Sequence, residues 1–557
     1  MRDENRQEGE GNDACASSLI PPPSSLTGAD ALVRRLCDHG VRHVFGYPGG
    51  PLAPVYDALQ REPALRHILS RHEQGAGFMA DGYARATGQP GVCLAVCGPG
   101  VFNAATALAT AFTDSIPVLL ITGQVPTGGL GLRSGYYHEN DQLAALASLT
   151  KGRARVTSAQ SMAREIDLAF ETMTTGRPGP FLLEAPLDVL REEFTPTAWA
   201  APRRPASPPV PHGQEITALV ELLAGWQRPL ILAGGGVIAS GAGALLVQVA
   251  ERLGAPVFTT LMGKGAIASD HPLAAGLPWY RSTSDLTSME PFFSPLFTQA
   301  DGVLAVGCRF TQAATGNWKL PLTSALAQID IDPAEIGRHY PVALGMKADA
   351  GAVLHSLLTL LPDRPRLPWA APSPLREPWR LQPDLDLLGP LRRVLPRDAI
   401  LVADITRLAY IMLAEFPVYY PRTFLHPAGF VSMGYGLPAA LGAKTAFPQR
   451  MVAAVVGDGC FQMSGMELAT MVQEKLPVLI ILLNDGSLSL IKAIQERHYQ
   501  GRILGVDLVN PDFGQLARAF GVRSWQVDSD AAFETALGEA VAHDEPALVE
   551  VRIGKAG

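Results

Sequence analysis

The feature that most constrains the fold is a repeated alternation of short apolar runs with longer amphipathic segments. In the first third of the chain, runs such as VCLAVC and VLLITG lie between stretches such as GADALVRRLCDHG and FNAATALATAFTD. Such runs are typical of strands in a buried parallel sheet, and the amphipathic stretches are typical of the helices that cover it. The alternation returns with LILAGGG, GVLAVG and AQIDID, and again with AILVAD, MVAAVV and VLIILL. The pattern therefore predicts three successive α/β domains, each built on a parallel sheet.

Proline-rich stretches divide the 557-residue chain at 195–213 and 362–383. Neither stretch has the periodicity of a helix or a strand, so both are predicted to be linkers. The N-terminal stretch is polar and acidic, without the basic start and apolar core of a secretory signal, and predicts a disordered tail on a cytoplasmic protein. The predicted units are the tail 1–25, a first domain 26–194, the linker 195–213, a central domain 214–361, the linker 362–383 and a third domain 384–557.

Charge and cysteine content narrow the function. Lys and Arg number 45 against 53 Asp and Glu, a net charge of -8 without a long basic block, which argues against nucleic-acid binding. No apolar run reaches membrane-spanning length, so no membrane partner is predicted. The six cysteines are sparse and match no zinc-binding spacing, which indicates a reducing compartment. Small-molecule chemistry is the function class that these features favour.

Acidic residues follow two predicted strands of the third domain. MVAAVV ends in Gly457-Asp458-Gly459, and VLIILL ends in Asn484-Asp485-Gly486-Ser487. Ligands of open α/β sheets bind beyond the carboxyl ends of strands, and carboxylate and backbone oxygens suit Mg²⁺ bound to phosphate groups. The next segment, GMELATMVQEK, is predicted to be a helix whose start faces an anion. Either aspartate alone is better explained as a helix cap, but the pair, 27 positions apart (485 minus 458), favours a site for a metal and a diphosphate.

The segment GDGCFQMSGMELATMVQEKLPVLIILLND resembles the thiamine diphosphate signature. The resemblance extends over residues 26 to 555, and it is closest to the acetolactate synthase-like 2-oxoacid carboligases and decarboxylases. It implies pyrimidine-binding, central and diphosphate-binding domains, with thiamine diphosphate and Mg²⁺ as cofactors. It also implies that Asp458 and Asp485 bind Mg²⁺ through their side chains and Ser487 through its carbonyl. The family usually has Asn at the second position, so Asn484 remains an alternative ligand.

A second matching segment, HPAGFVSMGYGLPAALGAK, precedes this signature. The resemblance implies that Met433 wedges beneath the cofactor and that the carbonyl of Val431 receives its 4'-amino group. An ordinary core methionine is the alternative explanation of Met433. The resemblance also assigns cofactor binding to Gly49, Gly457 and Gly459.

The segment SRHEQGAGFMADGYARATG places Glu73 at the start of a predicted helix, where an acid is usually explained by the helix dipole. The resemblance instead implies that its carboxyl group bonds N1' of the pyrimidine and promotes loss of the C2 proton. It assigns a catalytic role to Gln124 as well. In this family the first domain of one subunit meets the third domain of its partner. The resemblance therefore implies an obligate homodimer, with pairing into a dimer of dimers left open.

The resemblance implies decarboxylation of a pyruvate-like 2-oxoacid and transfer of the acyl carbanion to a second carbonyl. Two departures weaken a strict acetolactate synthase assignment: Ala313 replaces an arginine for the second carboxylate, and Ile494 replaces a tryptophan. A decarboxylase without ligation, or a related enzyme with a bulkier substrate, is the alternative. The other predicted substrate contacts are Phe112, Arg133, His138 and Lys151. The loop that contains two of them, GLRSGYYHENDQL, is explained equally well as a solvated polar loop.

The central segment LAGGGVIASGAG fits either a dinucleotide-binding turn or a tight strand-to-helix turn, so it leaves FAD undecided. Two other protein classes are disfavoured. A catalytically silent regulatory relative would lack Glu73 or a metal ligand, and a nicotinamide oxidoreductase would need a strand-GxGxxG-helix unit with a following ribose-binding acid.

Overall fold

In a computed structural model of the chain, the described residues are 25–131, 135–196, 199–203, 206–280, 291–322, 325–371 and 386–554. They form three six-stranded sheets in which every strand runs parallel to its neighbours, one in each part of the chain. The predicted α/β architecture of three successive parallel-sheet domains is confirmed. Within these ranges, no helix is both long enough and apolar enough to cross a membrane.

The described residues of the first domain form eight strands: β1 (Leu26–Thr27), β2 (His43–Gly46), β3 (Arg66–Leu69), β4 (Gly91–Ala95), β5 (Val118–Gln124), β6 (Gly152–Arg155), β7 (Phe181–Pro186) and β8 (Glu193–Phe194). Its α-helices are α1 (Gly28–Asp38), α2 (Ala53–Arg61), α3 (Glu73–Thr87), α4 (Pro99–Asp114), α5 (Gln142–Ala145), α6 (Met162–Thr174) and α7 (Leu187–Arg191). The sheet order is β3-β2-β4-β5-β7-β6, and β1 pairs antiparallel with β8.

The central domain has the strands β9 (Pro229–Ala233), β10 (Val257–Thr259), β11 (Ala274–Gly276), β12 (Trp279–Tyr280), β13 (Phe292–Phe293), β14 (Gly302–Val306), β15 (Ala325–Asp330) and β16 (Leu344–Lys347). Its α-helices are α8 (Gly213–Ala224), α9 (Gly235–Ala239), α10 (Gly243–Leu253), α11 (Leu296–Gln299) and α12 (Ala350–Leu360). The sheet order is β11-β10-β9-β14-β15-β16, and β12 pairs antiparallel with β13.

The third domain has the strands β17 (Ile400–Ala403), β18 (Phe424–Leu425), β19 (Val452–Gly457), β20 (Val478–Asn484), β21 (Arg523–Val527) and β22 (Ala547–Arg552). Its α-helices are α13 (Leu388–Val394), α14 (Arg407–Glu415), α15 (Gly436–Ala446), α16 (Asp458–Ser464), α17 (Leu468–Gln473), α18 (Ser489–His498), α19 (Phe513–Ala519) and α20 (Asp530–His543). The sheet order is β18-β17-β19-β20-β22-β21, so β19 and β20 are the two central strands.

Helix α3 of the first domain packs directly on helix α15 of the third. A Cβ atom on Gly82 would lie 2.7 Å from the carbonyl carbon of Ala439, and one on Gly442 would lie 2.7 Å from that of Met79. Position numbers rise along one helix as they fall along the other, so the helices are antiparallel. Glycine allows this close approach because it has no Cβ atom.

The glycine cluster of the central domain packs in a similar way. A Cβ atom on Gly234 would lie 2.6 Å from the carbonyl carbon of Gly307, and one on Gly236 would lie 2.6 Å from its Cα. The turns after β9 and β14 therefore touch through their backbones. This contact accounts for Gly234 and Gly236 as parts of a tight strand-to-helix turn.

Candidate active site

Asp458 lies at the first position of α16, directly after the central strand β19. The predicted helix over GMELATMVQEK is placed too late: the helical segment begins at Asp458, passes through a 3-10 turn at Gly465–Glu467 and continues as α17. The extended backbone of Gly457 caps α16, and an acid in the first turn is favourable at the positive end of a helix dipole.

The Asp458 side chain is buried, and both of its oxygens accept hydrogen bonds from neutral donors. Its Oδ1 accepts from Gly459 N at 2.8 Å, and its Oδ2 accepts from Gly486 N at 2.9 Å and from Asn510 Nδ2 at 2.7 Å. Burial is the largest cause of the raised pKa of Asp458; the hydrogen bond from Asn510 opposes it, and the charge of Asp485 adds to the rise. Gly486, whose N bonds Asp458, directly follows Asp485, so a second carboxylate lies close by in the structure.

The neighbours Asn484 and Asp485 are engaged differently. Asn484 Nδ2 donates to the buried Glu550 Oε1 at 2.7 Å, and its Oδ1 accepts from Asn510 Nδ2 at 2.8 Å. Asp485 Oδ1 accepts only locally, from Ser487 N at 3.1 Å. Because the Asn484 amide is already held at both ends, the geometry favours Asp485 as the side chain that faces a ligand.

The two carboxylates have the chemistry of a divalent cation site. In the described ranges, neither Asp458 nor Asp485 forms an ion pair with a Lys, Arg or His side chain. Two close, uncompensated carboxylates repel each other, and a hard cation relieves that repulsion. The same ranges contain no group of three or more His, Cys, Asp or Glu side chains that could hold a metal. Backbone oxygens and a phosphate ligand would therefore have to complete the coordination.

Met433 lies over the same motif. Its Cε is 3.2 Å from the place where a Cβ atom on Gly459 would stand, so the thioether packs closely over that glycine. The preceding loop is tied to the first domain, because Thr110 Oγ1 donates to the Phe430 carbonyl at 3.0 Å and Asp114 Oδ1 accepts from Gly429 N at 2.8 Å. Val431 is exposed next to this anchor. The structure thus brings Val431 and Met433 to the end of β19.

Glu73 opens α3, as predicted, after the cap residue His72. Its Oε2 accepts from Asn103 Nδ2 at 3.0 Å, and its Oε1 is 3.0 Å from the place of a Cβ atom on Gly100. Both partners belong to the first turns of α4. The carboxyl group therefore lies at the N-terminal end of α4, where the neutral amide of Asn103 holds it.

The backbone just before Glu73 rests on the third domain. Glu467 is buried, and its Oε1 accepts from Arg71 N at 3.0 Å and from His72 N at 3.2 Å. Burial raises the pKa of Glu467, while the bonds from Thr470 and from these backbone groups lower it. Glu467 thus fixes the segment that positions Glu73.

Gly49 and His138 reach the same end of α4. A Cβ atom on Gly49 would lie 2.8 Å from Val96 Cβ, and Val96 also borders Gly100, the neighbour of Glu73. The His138 Cβ is 3.0 Å from the place of a Cβ atom on Gly98, and His138 has a left-handed backbone with φ 69°. Gly49, Glu73 and His138 therefore surround one turn, residues 96–100.

The comparisons with known families agree with this geometry. Residues 26–145 match the thiamine pyrophosphate enzyme N-terminal TPP binding domain, residues 216–357 match the central domain, and residues 404–551 match the C-terminal TPP binding domain. The chain belongs to the thiamine pyrophosphate enzymes.

Relatives that match over nearly their full length indicate which type of thiamine pyrophosphate enzyme this chain is. The chain is 36% identical over 558 residues to the "Probable acetolactate synthase large subunit" of Methanocaldococcus jannaschii, covering 95% of this chain and 92% of that protein. It is 37% identical over 554 residues to the "Probable 2-ketoarginine decarboxylase AruI" of Pseudomonas aeruginosa, covering 96% and 95%. It is 34% identical over 543 residues to the "Acetolactate synthase isozyme 3 large subunit" of Escherichia coli, covering 93% and 92%. It is a thiamine pyrophosphate-dependent enzyme of the acetolactate synthase-like type.

Two predicted residues of this thiamine pyrophosphate enzyme have side chains that are bonded elsewhere. Gln124 is buried, its Nε2 donates to the Asn140 carbonyl at 3.0 Å and to Glu184 Oε2 at 3.1 Å, and its Oε1 accepts from Val125 N. Lys151 Nζ donates to the Thr175 carbonyl at 2.6 Å, and burial lowers the pKa of Lys151 to about 8. Direct catalytic or substrate contact by either side chain stays a prediction.

The remaining predicted substrate residues are spread over the enzyme. Phe112 lies near the C-terminal end of α4, and Ile494 lies half-buried on α18. Ala313 is in the central domain, where its carbonyl accepts from Trp279 Nε1 at 2.9 Å. Arg133 lies outside the described residues. Phe112, Ala313 and Ile494 thus lie in three different domains of the chain.

Three site residues of the enzyme were missed by the sequence analysis: Asn103, Glu467 and Asn510. Asn103 follows Gly100 in the same helix, so helical spacing could have found it. Glu467 and Asn510 act across long sequence separations, and no local pattern marks them.

Proposed function

We propose that the protein uses thiamine diphosphate and Mg²⁺ to decarboxylate a pyruvate-like 2-oxoacid and to transfer its acyl carbon to a second carbonyl. The observation that carries this proposal is the pair of uncompensated carboxylates, Asp458 and Asp485, beyond β19 and β20, with Met433 packed over Gly459. The family and its acetolactate synthase relatives support the reaction type.

In this proposal Asp458, Asp485 and the Ser487 carbonyl hold Mg²⁺, which binds the diphosphate. Gly457 and Gly459 leave room for that group, Met433 supports the rings from below, and the Val431 carbonyl accepts from the 4'-amino group. When bound, thiamine diphosphate supplies the electron sink for loss of CO₂. The turn after β9 has a packing reason for its glycines, so the proposal includes no role for FAD.

Glu73 is proposed to hold a proton at N1' of the pyrimidine. General acid-base assistance is typically worth about a hundredfold to ten-thousandfold in rate. Glu73→Gln should therefore bind the cofactor but exchange the C2 proton more slowly by about that factor. Proton-deuterium exchange at C2, followed by NMR, measures this rate. An unchanged rate would remove Glu73 from the role.

We propose further that each active site forms between two chains. Tyr435, two positions after Met433, donates to Asp81 Oδ1 at 3.0 Å, and its ring lies 5.7 Å from the Arg85 guanidinium carbon. Glu73 lies eight positions before Asp81 (81 minus 73), about 12 Å away along α3 at 1.5 Å per residue. That distance exceeds the reach of a glutamate side chain, so a cofactor at Met433 needs the Glu73 of a second chain.

Exposed apolar side chains near Glu73 and near Met433 support the proposal of an obligate homodimer. Contiguous exposed apolar surface commonly marks an interface. Two of these exposed side chains, Tyr47 and Phe102, lie near Gly49 and Glu73. Three others lie around Met433: Phe430, Val431 and Met463. A dimer would cover both sets.

Mixed dimers test this division. In a mixed dimer, one chain carries Glu73→Gln and the other carries Asp458→Ala. One of the two proposed sites then contains both substitutions, and the other site contains neither. Random pairing should restore about a quarter of the wild-type sites from two inactive parents, because a two-fold dimer has two equivalent sites. Co-expression with two affinity tags isolates the mixed dimer. Absence of activity in that mixed dimer would contradict the two-chain site.

The second candidate function is decarboxylation of a bulkier 2-oxoacid without ligation. Ala313 provides no cation for a second carboxylate, Ile494 provides a small wall, and one full-length relative is named for 2-ketoarginine decarboxylation. Loss of a charged contact is worth about 1.5 to 3 kcal/mol, or about tenfold to a hundredfold in acceptor preference.

Product analysis separates the two functions. The enzyme receives equal amounts of pyruvate, 2-oxobutyrate and a simple aldehyde, with 2-ketoarginine in a parallel reaction. We expect some acetolactate without strong preference for 2-oxobutyrate over the aldehyde. Aldehyde release alone would favour the second candidate. A mixture dominated by acetohydroxybutyrate would show that another residue replaces the missing arginine.

We also propose a cytoplasmic location. The described cysteines are all buried and form no disulfide bond with one another, as is usual in a reducing compartment. They are Cys37, Cys93, Cys97, Cys308 and Cys460.

A further inference from the structure

The side chain of Asn510 joins the ends of both central strands of the third domain. Its Nδ2 donates to Asp458 Oδ2, just after β19, at 2.7 Å and to Asn484 Oδ1, the last residue of β20, at 2.8 Å. Asn510 itself lies on the segment 499–510, which follows α18. One amide therefore links that segment to a carboxylate proposed to bind Mg²⁺.

The surrounding bonds fix which way this amide faces. Gln462 Nε2 donates to Asn510 Oδ1 at 2.7 Å, so the oxygen faces α16 and the NH₂ group faces Asp458 and Asn484. An amide nitrogen has two hydrogens, one for each of these acceptors. Asn484 is in turn held by Glu550, which prevents it from turning away. The arrangement leaves Asp458 Oδ1, bonded only to the adjacent Gly459 N, free to take a cation.

The segment 499–510 is also attached through residues other than Asn510. Gln495 grips Leu504 through both of its amide atoms, accepting from its N at 2.9 Å and donating to its carbonyl at 3.1 Å. Leu508 N donates to the Gly486 carbonyl at 2.8 Å. Asn510 is thus one anchor among several, and it is the one that reaches the metal-ligand carboxylate.

We propose that Asn510 is a positioning residue of the metal centre: it holds Asp458 Oδ2 so that Oδ1 faces the cation. The inference rests on the proposed Mg²⁺ site. Partners that hydrogen-bond a ligating carboxylate typically contribute about tenfold to a hundredfold in metal affinity. It also follows that segment 499–510 becomes more firmly held when the metal is bound. The metal would fix the Asp458 carboxylate, which accepts from Asn510 at the end of that segment.

The test uses Mn²⁺ as a paramagnetic probe of the full-length protein with saturating thiamine diphosphate, reading free Mn²⁺ by electron paramagnetic resonance. Asn510→Ala should weaken Mn²⁺ binding by about tenfold to a hundredfold. Asn510→Ser, whose hydroxyl can donate one hydrogen bond, should lie between Asn510→Ala and the wild type. The matched control is Gln495→Ala, which loosens the same segment without touching Asp458 and should leave Mn²⁺ affinity unchanged. Hydrogen exchange of 499–509 should rise in both alanine variants.

The outcomes are distinct. If Asp458→Ala binds Mn²⁺ as the wild type does, the proposed metal site itself is wrong. If Asp458→Ala loses Mn²⁺ but Asn510→Ala retains it, only the role of Asn510 is refuted. Equal losses in Asn510→Ala and Gln495→Ala would also refute it, because the effect would then come from the segment as a whole. Thermal unfolding of each variant verifies that it is folded, and the serine variant keeps the test decisive if the alanine variant is not.

Discussion

Replacing Gly82 with alanine should push α3 away from α15 and destabilise the protein. The new Cβ atom would stand 2.7 Å from both the Cα and the carbonyl carbon of Ala439. Carbon atoms in contact are normally about 3.5 to 4.0 Å apart, so the overlap is about 1 Å. The clash is with backbone atoms, which cannot turn aside as a side chain can. The two helices must therefore separate.

The expected change in the free energy of unfolding is the sum of two opposing effects. Alanine is better than glycine inside a helix by about 1 kcal/mol. Overpacking typically costs about 1 to 3 kcal/mol, and a backbone clash belongs at the upper end. The net loss in the free energy of unfolding should be about 2 kcal/mol. Gly538 in α20 is the matched control, because a Cβ atom there would have no heavy atom within 4 Å. Gly538→Ala should therefore gain about 0.5 to 1 kcal/mol.

Urea unfolding of both variants measures the difference in their free energy of unfolding, taken at the first unfolding transition. Exchange of the C2 proton of the cofactor is a second assay. Because α3 begins at Glu73, Gly82→Ala should also slow that exchange, and Gly538→Ala should not. If Gly82→Ala were as stable as Gly538→Ala, the close helix contact would carry no energetic weight and the reasoning would fail.

Three further predictions concern the metal ligands, Glu467 and the buried His426. Asp485→Asn should retain Mg²⁺-dependent cofactor binding in calorimetric titration, because Asn also offers an oxygen, whereas Asp458→Ala should lose it. Glu467→Ala should lower the free energy of unfolding by about 1 to 3 kcal/mol, because the N–H groups of Arg71 and His72 each lose a hydrogen bond to the buried carboxylate. Burial lowers the pKa of His426 to about 4, and the folded state then binds fewer protons than the unfolded state. Stability should be complete above pH of about 6.5 and fall as the pH drops towards 4, and the fall should be smaller in His426→Gln when unfolding is measured across that range.

The inner strands of all three sheets were predictable from sequence, whereas most edge strands were not. β19 and β20 are continuous apolar runs because neighbours cover both faces and both edges. The edge strands β6 and β21 read GRAR and RSWQV, and β18 has two residues. An edge strand has a partner on one side only and tolerates polar residues, so its apolar pattern is weak.

The two halves of the candidate site were also predictable, because each is a short motif. Gly457-Asp458-Gly459 and the helix that begins at Glu73 are local in sequence. The supports of these motifs are not: Asn510 reaches Asp458 across 52 positions, and Glu467 reaches Arg71 across 396. Such pairs are set by tertiary packing, and a single sequence carries no pattern for them.

The placement of Glu467 has a consequence for the proposed dimer. Glu467 is nine positions after Asp458 (467 minus 458) on the same helical segment, yet it holds the backbone just before Glu73, which in the proposed dimer would serve the cofactor of the other chain. Glu467→Ala should therefore impair the site that its chain shares with the partner's Asp458. In mixed dimers, Glu467→Ala should be rescued by Asp458→Ala and not by Glu73→Gln, measured as restored 2-oxoacid decarboxylation. Rescue by Glu73→Gln and not by Asp458→Ala would mean that Glu467 acts on the metal ligands of its own chain. The inference that it positions Glu73 would then be wrong.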